Sequence, residues 1–216
     1  METALKVAII GLGNIGKVVA KNLVNGGQPV IIASKKLADA QTLAQQLGNL
    51  ATATETIEAI KAADVVILSV WFNTIQEFFK TYAAELRGKI IIDPSNPIAP
   101  DENGGFKKII GENESAGLLN AAILPQGAKL VKAFGTLGAA SLENAAAKTP
   151  EKAVLFYAAD DNTIDNTIEQ LITASGFEAV KVGGLDQSIR IEVFGDLHEF
   201  GAIGQPVDVI TAKSKV

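Results

Sequence analysis

Short apolar runs alternate along the chain with segments whose apolar residues recur every three or four positions. The first run spans Leu5 to Ile10, and others follow at 29–33, 50–53, 63–70, 89–93, 129–134, 153–157 and 178–182. Such runs are typical of strands covered on both faces of a parallel sheet. The intervening segments predict helices after Gly16, at 37–47, after Thr54, and at 75–82, 115–123, 163–174 and 186–202. This alternation predicts an α/β fold: a Rossmann-type, doubly wound, mostly parallel sheet with a small C-terminal α/β extension.

The turn after the first strand has the sequence Gly11-Leu12-Gly13-Asn14-Ile15-Gly16. A G-x-G-x-x-G pattern between a strand and a helix is the fingerprint of a dinucleotide-binding site. We expect Gly11 to permit the sharp turn, Gly13 to let the backbone approach a pyrophosphate, and Gly16 to let the helix pack closely on the strand. The alternative is an ordinary turn with three incidental glycines.

The end of the second strand indicates which dinucleotide binds. NAD-specific proteins usually place Asp or Glu there, whereas NADP-specific proteins place a cation. Here the sequence runs Ser34-Lys35-Lys36, with no acid before Asp39. A hydroxyl and two ammonium groups would attract a 2′-phosphate, so we predict NADP(H). The alternative is a solvated lysine pair that opens a helix. No linker or repeat divides the chain, which predicts one NADP-binding Rossmann domain over 1–216, with its core at 1–150 and the extension at 151–216.

Further residues follow other strands of the predicted sheet, where ligands of such folds bind. Trp71 and Phe72 come after the 63–70 run, and Ser95 and Asn96 lie in a rigid loop between two prolines. Both aromatic residues would then line the cofactor path; the alternative is that they belong to the core. Residues 99–108 are polar and contain glycine, which predicts a loop.

Composition narrows the class of protein. The 216 residues carry a net charge of −5, which argues against nucleic acid as a partner. No apolar run is long enough for a membrane span and no signal peptide is evident, so we expect a cytoplasmic protein without a membrane partner. The absence of cysteine and the single histidine, His198, exclude a zinc site of the usual kind, and we predict no metal.

Five segments together resemble the NADPH-dependent deazaflavin-coenzyme (F420) reductases and the related oxidoreductase domains of six-transmembrane metalloreductases: GLGNIG, ASKK, DPSNP, VKAFGTL and GGLDQSIRIE. The resemblance covers nearly the whole chain. It implies a compact Rossmann domain that binds NADP(H), commonly as a homodimer. It also implies a set of cofactor-binding residues, which comprises Gly11, Leu12, Gly13, Asn14 and Ile15 at the pyrophosphate, Ser34, Lys35 and Lys36 at the 2′-phosphate, and Val70, Trp71, Phe72, Asn96, Ala133 and Phe134 on the path to the nicotinamide.

The chain departs from this family at Gly135. The archaeal deazaflavin enzymes carry histidine there and the metalloreductase relatives asparagine, so glycine removes a side chain from the expected acceptor pocket. The departure leaves the NADP(H) prediction unchanged and the identity of the hydride acceptor open. We predict further that the helix over 186–202 joins a dimer interface, where Gly195 and Gly201 would allow close packing.

The absence of a recognisable proton-donor motif bears on the mechanism. Carbonyl reduction normally needs a proton donor, and no recognisable motif supplies one. Hydride transfer to a flavin-like ring needs mainly proximity and orientation. A lone histidine at a helix end, such as His198, is more often structural than catalytic, and we assign no catalytic residue. Three functions fit: an NADPH-dependent oxidoreductase acting on a flavin, deazaflavin or similar planar small molecule; a shortened relative of the β-hydroxyacid dehydrogenases or imine reductases; and a non-enzymatic NADP(H) sensor.

Overall fold

A computed structural model describes residues 5–102 and 104–216. Ten strands occur in this part of the chain: β1 Val7–Ile10, β2 Val30–Ala33, β3 Ala51–Ala53, β4 Val65–Leu68, β5 Ile90–Asp93, β6 Ile98–Pro100, β7 Phe106–Lys108, β8 Lys129–Lys132, β9 Val154–Ala158 and β10 Glu178–Gly183. The helices are α1 Asn14–Asn25, α2 Leu37–Leu47, α3 Thr56–Ala62, α4 Phe72–Thr81, α5 Ala116–Ala121, α6 Ala139–Asn144, α7 Asp165–Ala174, α8 Ser188–Ile191 and α9 Val209–Lys213. Short 3-10 turns precede α7 and α8.

Eight of the strands form one sheet in the order β10-β9-β8-β5-β4-β1-β2-β3. Neighbouring strands are parallel except β8 and β9, which pair antiparallel at Lys132 and Ala158. The chain runs outward from β1 to β3 and returns to β4 on the other side of β1. This reversal creates a crevice at the carboxyl ends of β1 and β4, where ligands of doubly wound sheets bind. The predicted Rossmann-type fold is confirmed.

The apolar runs are explained by helices on both faces of the sheet. Along β1, Val7 and Ile9 pack into one cluster with residues of α1 and α2, while Ala8 and Ile10 pack into another with residues of α3 and α4. Alternate residues of a strand point to opposite faces. All four are at most 3% exposed, so the strand shows no polar alternation in its sequence. The same burial holds for β4 and β9.

The predicted loop over 99–108 is in fact part of a small hairpin. β6 and β7 pair antiparallel, from Ile98 with Lys108 to Pro100 with Phe106. Each strand has only three residues, too few to show a periodic pattern. Position 103, inside the predicted loop, lies outside the described residues.

The prediction of one helix over 186–202 is wrong. Helix α8 stops at Ile191, and Glu192 then takes an extended conformation. A succession of turns follows, in which a Cβ on Gly195 would overlap the carbonyl oxygens of Ile189 and Arg190. A Cβ on Gly201 would likewise overlap the carbonyl oxygen of Gly195. The two glycines therefore fold the segment back on itself, and the helix on which the predicted interface was placed is absent from this segment.

No helix of the described residues is both long and apolar enough to cross a membrane. The prediction that no signal peptide precedes the first strand concerns positions 1–4, which lie outside the described residues.

Candidate cofactor and acceptor site

The three glycines of the first turn have three different surroundings. Gly11 has φ +97°, and a Cβ there would overlap the carbonyl oxygen of Ser69 at the end of β4. A Cβ on Gly16 would overlap the carbonyl oxygen of Gly11, so α1 packs directly on the turn. A Cβ on Gly13 would have nothing within 4 Å. Two of the glycines are thus required by the protein itself, whereas Gly13 borders open space at the crevice.

The N-terminus of α1 faces this space with free donors. Its first intrahelical bond runs from Lys17 N–H to Gly13 O at 3.2 Å, so the N–H groups of Asn14, Ile15 and Gly16 have no acceptor within the helix. Gly13 provides no side-chain cap. The free N–H groups and the positive end of the helix dipole form a favourable position for an anion.

The segment after β2 lies beside the same crevice, because β1 and β2 are adjacent and parallel. The Ser34 hydroxyl donates to Lys36 O at 2.6 Å and tightens the turn into α2. Lys35 and Lys36 are exposed, and neither side-chain ammonium group takes part in a hydrogen bond or ion pair with the described residues. Two free ammonium groups are therefore available next to the glycine turn.

The residues after β4 continue the site on the other side of β1. Ser69 N–H donates to Ile10 O at 2.8 Å and fixes the start of this turn. Val70 and Phe72 are half-buried, whereas the Trp71 side chain is 59% exposed at the start of α4. The alternative that Trp71 is a core residue is therefore wrong.

Asn96, Gly135 and His198 form one hydrogen-bonded unit after β5 and β8. Asn96 Nδ2 donates to Gly135 O at 3.0 Å, and Asn96 Oδ1 accepts from Val193 N–H at 2.7 Å. His198 Nε2 lies 2.9 Å from the same carbonyl, while His198 Nδ1 accepts from Phe200 N–H at 3.0 Å. Because Nδ1 accepts, Nε2 carries the proton and donates. The unit ties the segment after α8 to the ends of two central strands.

His198 is thus a structural residue rather than a proton donor. Its side chain is 1% exposed and both ring nitrogens are bonded to backbone groups. Burial lowers the pKa of the imidazole to about 4, against the opposing effects of the Gly135 carbonyl and of Glu199. The ring is neutral at pH 7.

Ala133 and Phe134, predicted on the nicotinamide path, lie beneath the surface. Both side chains are at most 2% exposed and belong to the core cluster that contains α1. Phe134 has φ +64°, which turns the chain after β8. These two residues can shape the floor of a site, but their side chains do not reach a ligand at the surface.

The structure itself requires a residue without a side chain at Gly135. A Cβ at this position would lie 2.5 Å from the carbonyl oxygen of Pro94. The strand-end loops after β5 and β8 therefore approach each other more closely than a side chain here would allow.

A buried ion pair lies below these loops. Lys132 Nζ is 3.0 Å from Asp93 Oδ2 and donates to Ser95 O at 2.5 Å. Asp93 also accepts from Asn120 Nδ2 at 2.8 Å and from Ser95 N–H at 2.7 Å. Both charged side chains are at most 4% exposed. Paired and hydrogen-bonded in this way, the two charges fix the ends of β5 and β8 relative to each other.

Two buried glutamates hold the segment after α8. Glu192 accepts from the N–H groups of Ala116 and Gly117, both at 2.9 Å, and Glu199 accepts from Gly138 N–H. Sequence reasoning missed both residues, as it missed Asp93 and Lys132. A charged residue inside an apolar run was the available signal for Lys132; the glutamates lie 61 to 76 residues from their partners and gave none.

Among residues 5–102 and 104–216, no three His, Asp or Glu side chains are grouped so that they could hold a metal ion. The polar groups of the site instead divide into free N–H and ammonium groups near β1 and β2, and paired charged groups near β5 and β8. The buried hydroxyls of Ser95 and Thr136, also near β5 and β8, have no partner among the described residues.

Known proteins resemble this chain in sequence. Residues 6–97 match the family described as NADP oxidoreductase, coenzyme F420-dependent. An F420-dependent NADP reductase of Methanothermobacter marburgensis is 26% identical over 87% of this chain and 88% of its own length. The metalloreductase STEAP3 of Rattus norvegicus is 27% identical over 88% of this chain, which spans only 36% of that protein.

A solved structure resembles the chain over almost its full length. It is that of a hypothetical protein from Sinorhizobium meliloti, 28% identical, with a TM-score of 0.81 over 94% of this chain and 95% of that one. The family resemblance inferred from the sequence motifs is confirmed: residues 6–97 of this chain match the model of the NADP oxidoreductase, coenzyme F420-dependent family.

Proposed function

We propose that the chain is an NADP(H)-dependent oxidoreductase that transfers a hydride between the nicotinamide and a planar acceptor such as a flavin or a deazaflavin. One observation carries the proposal: two features lie at the same edge of the sheet. They are the open N-terminus of α1 and the free ammonium groups of Lys35 and Lys36. The first suits a pyrophosphate and the second a 2′-phosphate, and NADP(H) contains both.

The glycine turn would hold the pyrophosphate through its backbone. In this assignment Gly11 and Gly16 set the shape of the turn, and the space beside Gly13 admits the phosphates. Donors would come from the main chain of Leu12 to Gly16. An added Cβ at Gly13 would occupy that space, which makes the fit of the cofactor testable.

The 2′-phosphate would lie between the Ser34 turn and the two lysines. Each charge-assisted contact to the phosphate is worth about 1.5–3 kcal/mol. No carboxylate precedes Asp39 in the turn, so there is neither repulsion of a phosphate nor a ready acceptor for the free 2′-hydroxyl of NAD(H). These features favour NADP(H) over NAD(H).

The nicotinamide half would lie along the ends of β4, β5 and β8. Val70, Trp71 and Phe72 would flank it, with the exposed Trp71 ring as the principal apolar contact. Asn96, Ala133 and Phe134 would form the floor through main-chain groups and shape, since the Asn96 amide is bonded to the backbone and the other two side chains are buried.

When bound, NADPH supplies a hydride. The chain contributes a rigid floor and the orientation of two planar partners, which is the main requirement of direct hydride transfer. His198 is committed to the backbone, and Glu192 and Glu199 accept from N–H groups. An acceptor whose own ring nitrogens take up the added charge fits such a site better than a carbonyl that needs a proton from the enzyme.

The remaining predictions concern the domain, its partners and its location. We propose that residues 1–216 act as one domain, with a small-molecule acceptor as partner rather than nucleic acid or a membrane. A homodimer and a cytoplasmic location stay predictions, although the homodimer no longer rests on a helix over 186–202.

Stopped-flow oxidation of NADPH under anaerobic conditions tests the proposal. The acceptor panel contains a flavin, a deazaflavin, a quinone, a cyclic imine and a 2-oxo acid, each also measured with NADH. We expect turnover with the ring acceptors and a preference for NADPH. Tight binding of NADPH without turnover of any acceptor would favour a sensor module, and turnover of the imine alone would favour an imine reductase.

A further inference from the structure

A cavity of about 300 Å³ opens at the edge of the sheet opposite the glycine turn. Its lining includes Arg87, Lys89 and Lys129, which lie at or just before the starts of β5 and β8. The end of β9 reaches the same edge, because β9 runs antiparallel to β8 and Lys129 Nζ donates to Thr163 Oγ1 at 2.9 Å. Ligands of open α/β sheets bind beyond the carboxyl ends of strands, so the cavity occupies a suitable position for a ligand.

The two lysines of the cavity are held in place, and each keeps one donor. Lys89 Nζ donates to two carbonyl groups at the carboxyl end of α3, at 2.5 and 3.3 Å. Lys129 Nζ contacts Thr163 Oγ1 and lies 2.8 Å from Asp161 Oδ2. An ammonium group has three N–H donors, which leaves one on each lysine. Both cations are therefore positioned before a ligand arrives, and this lowers the entropic cost of binding.

Arg87 adds a cation without a partner. Its side chain is exposed, and its guanidinium group makes no hydrogen bond or ion pair within residues 5–102 and 104–216. Gly88 also lines the cavity, and its N–H has no acceptor in the same part of the chain. A guanidinium group carries five N–H donors in a planar fork that fits two oxygens of one phosphate.

The charges at the cavity favour an anion. Three cations line it, together with one carboxylate, that of Asp64, whose Oδ2 accepts from Lys6 N–H at 3.0 Å. Asp161 lies beside the lining and pairs with Lys129. Three cations against these two carboxylates leave one positive charge. Two isoleucines complete the lining, and apolar walls strengthen charge interactions by lowering the local dielectric constant.

We propose that this cavity is a second anion site, which binds the phosphate group of a small molecule independently of the cofactor. Arg87 would bind two phosphate oxygens through its fork, and the remaining donors of Lys89, Lys129 and Gly88 would bind the others. The volume of about 300 Å³ suits a phosphate ion or a small phosphate ester rather than a dinucleotide. A ligand here would join the starts of β5 and β8, whose other ends carry the buried ion pair.

Inorganic phosphate is the probe, and NMR spectra of ¹⁵N-labelled protein report where it binds. The chain contains two arginines, and the Nε of the second, Arg190, already donates to Asp196 at 3.2 Å. The Nε–H signal of Arg87 is identified by its disappearance in Arg87→Lys. We expect this signal and the amide signal of Gly88 to shift and saturate as phosphate is added, while the Arg190 signal stays in place.

Arg87→Gln tests the guanidinium group, and Lys80→Gln is the matched control. Lys80 is exposed on α4, outside the cavity lining, so each variant loses one positive charge from the surface. Followed at the Gly88 amide, the Kd for phosphate should rise about tenfold or more in Arg87→Gln, because charge-assisted bonds are lost. It should stay within about twofold in Lys80→Gln. Arg87→Lys should lie between Arg87→Gln and wild type, since lysine keeps the charge without the fork.

The outcomes that overturn the site are distinct. They are the absence of a saturable shift in the wild type, equal weakening in Arg87→Gln and Lys80→Gln, and competition between NADP⁺ and phosphate at the Arg87 signal. Citrate that binds as tightly as phosphate would overturn the choice of a phosphate group. Glycerol 3-phosphate distinguishes a free ion from an ester, and tighter binding of either supports the site. The titration involves no turnover, so a failure of the proposed oxidoreductase function would leave its result unchanged.

Discussion

The sheet edge divides into two regions that satisfy their polar groups differently. At the ends of β1 and β2, among the described residues, the donors at the start of α1 lack acceptors and the ammonium groups of Lys35 and Lys36 have no partner. At the ends of β5 and β8, Asp93, Lys132 and His198 are buried and bonded. The first region offers free donors to an anion from outside. In the second, the charged groups are bonded within the described part of the chain, and the buried hydroxyls of Ser95 and Thr136 have no partner there.

This contrast assigns cofactor binding to the first region and stabilisation of the fold to the second. Substitutions in the first region should weaken a cofactor while leaving the free energy of unfolding nearly unchanged. Substitutions in the second should destabilise the fold, because a buried polar group that loses its partner retains its desolvation cost.

Among changes in the second region, Lys132→Met should lower the free energy of unfolding most. It leaves Asp93 as an unpaired buried charge, and we expect a loss of about 3–5 kcal/mol of unfolding free energy. Lys129→Met is the matched control on the same strand, since Lys129 is 38% exposed in its ion pair with Asp161 and should cost at most about 1 kcal/mol. Urea unfolding measures both. Similar losses for the two variants would contradict the distinction.

The next effect is a pH dependence from His198. Burial holds its folded pKa near 4, below the ordinary 6.5, so the unfolded chain binds more protons between these values. Stability from this residue is complete above pH 6.5 and falls as the pH drops towards 4, by about 3 kcal/mol. Urea unfolding of wild type and His198→Gln at pH 7 and pH 4 tests this. The stability difference between the two proteins should shrink by that amount; a difference independent of pH would show that the ring titrates normally.

The glycine turn sharpens the comparison within the first region. Gly16→Ala places a Cβ on the Gly11 carbonyl and should destabilise the fold by about 1–3 kcal/mol. Gly13→Ala meets nothing in the protein and should leave stability unchanged within about 0.5 kcal/mol, yet weaken NADPH. Thermal unfolding and cofactor titration of both variants separate the two roles. Unchanged NADPH affinity in Gly13→Ala would show that the pyrophosphate does not bind beside Gly13.

Local patterns predicted most of the sheet and the first half of the site. The apolar runs located the eight strands to within about two residues, and helix α2 occupies the predicted 37–47. A short continuous apolar run suffices to locate a strand that is buried on both faces, such as β1, β4 or β9. The glycine turn was predictable for a similar reason, because its three glycines act within one strand–turn–helix unit.

The second region depends on contacts that are distant in sequence. Ile189, Val193, Leu197 and Phe200 recur at helical spacing, and the pattern does not reveal that Gly195 and Gly201 must meet. The pairing of Asp93 with Lys132 spans 39 residues, and that of Glu192 with α5 spans about twice as many. Such partners follow from the completed sheet, so the bonding of the second region could not be predicted from the residues alone.

The central claim is that Ser34, Lys35 and Lys36 select NADP(H). Titration of NADPH and NADH by fluorescence, on wild type and on Lys35→Ala/Lys36→Ala, tests it most directly. Loss of a charge-assisted contact should raise the Kd for NADPH about tenfold or more. The Kd for NADH, which lacks the phosphate, should change less than about twofold, and added salt should weaken NADPH more than NADH. Equal losses for both cofactors, or a wild type that prefers NADH, would contradict the account.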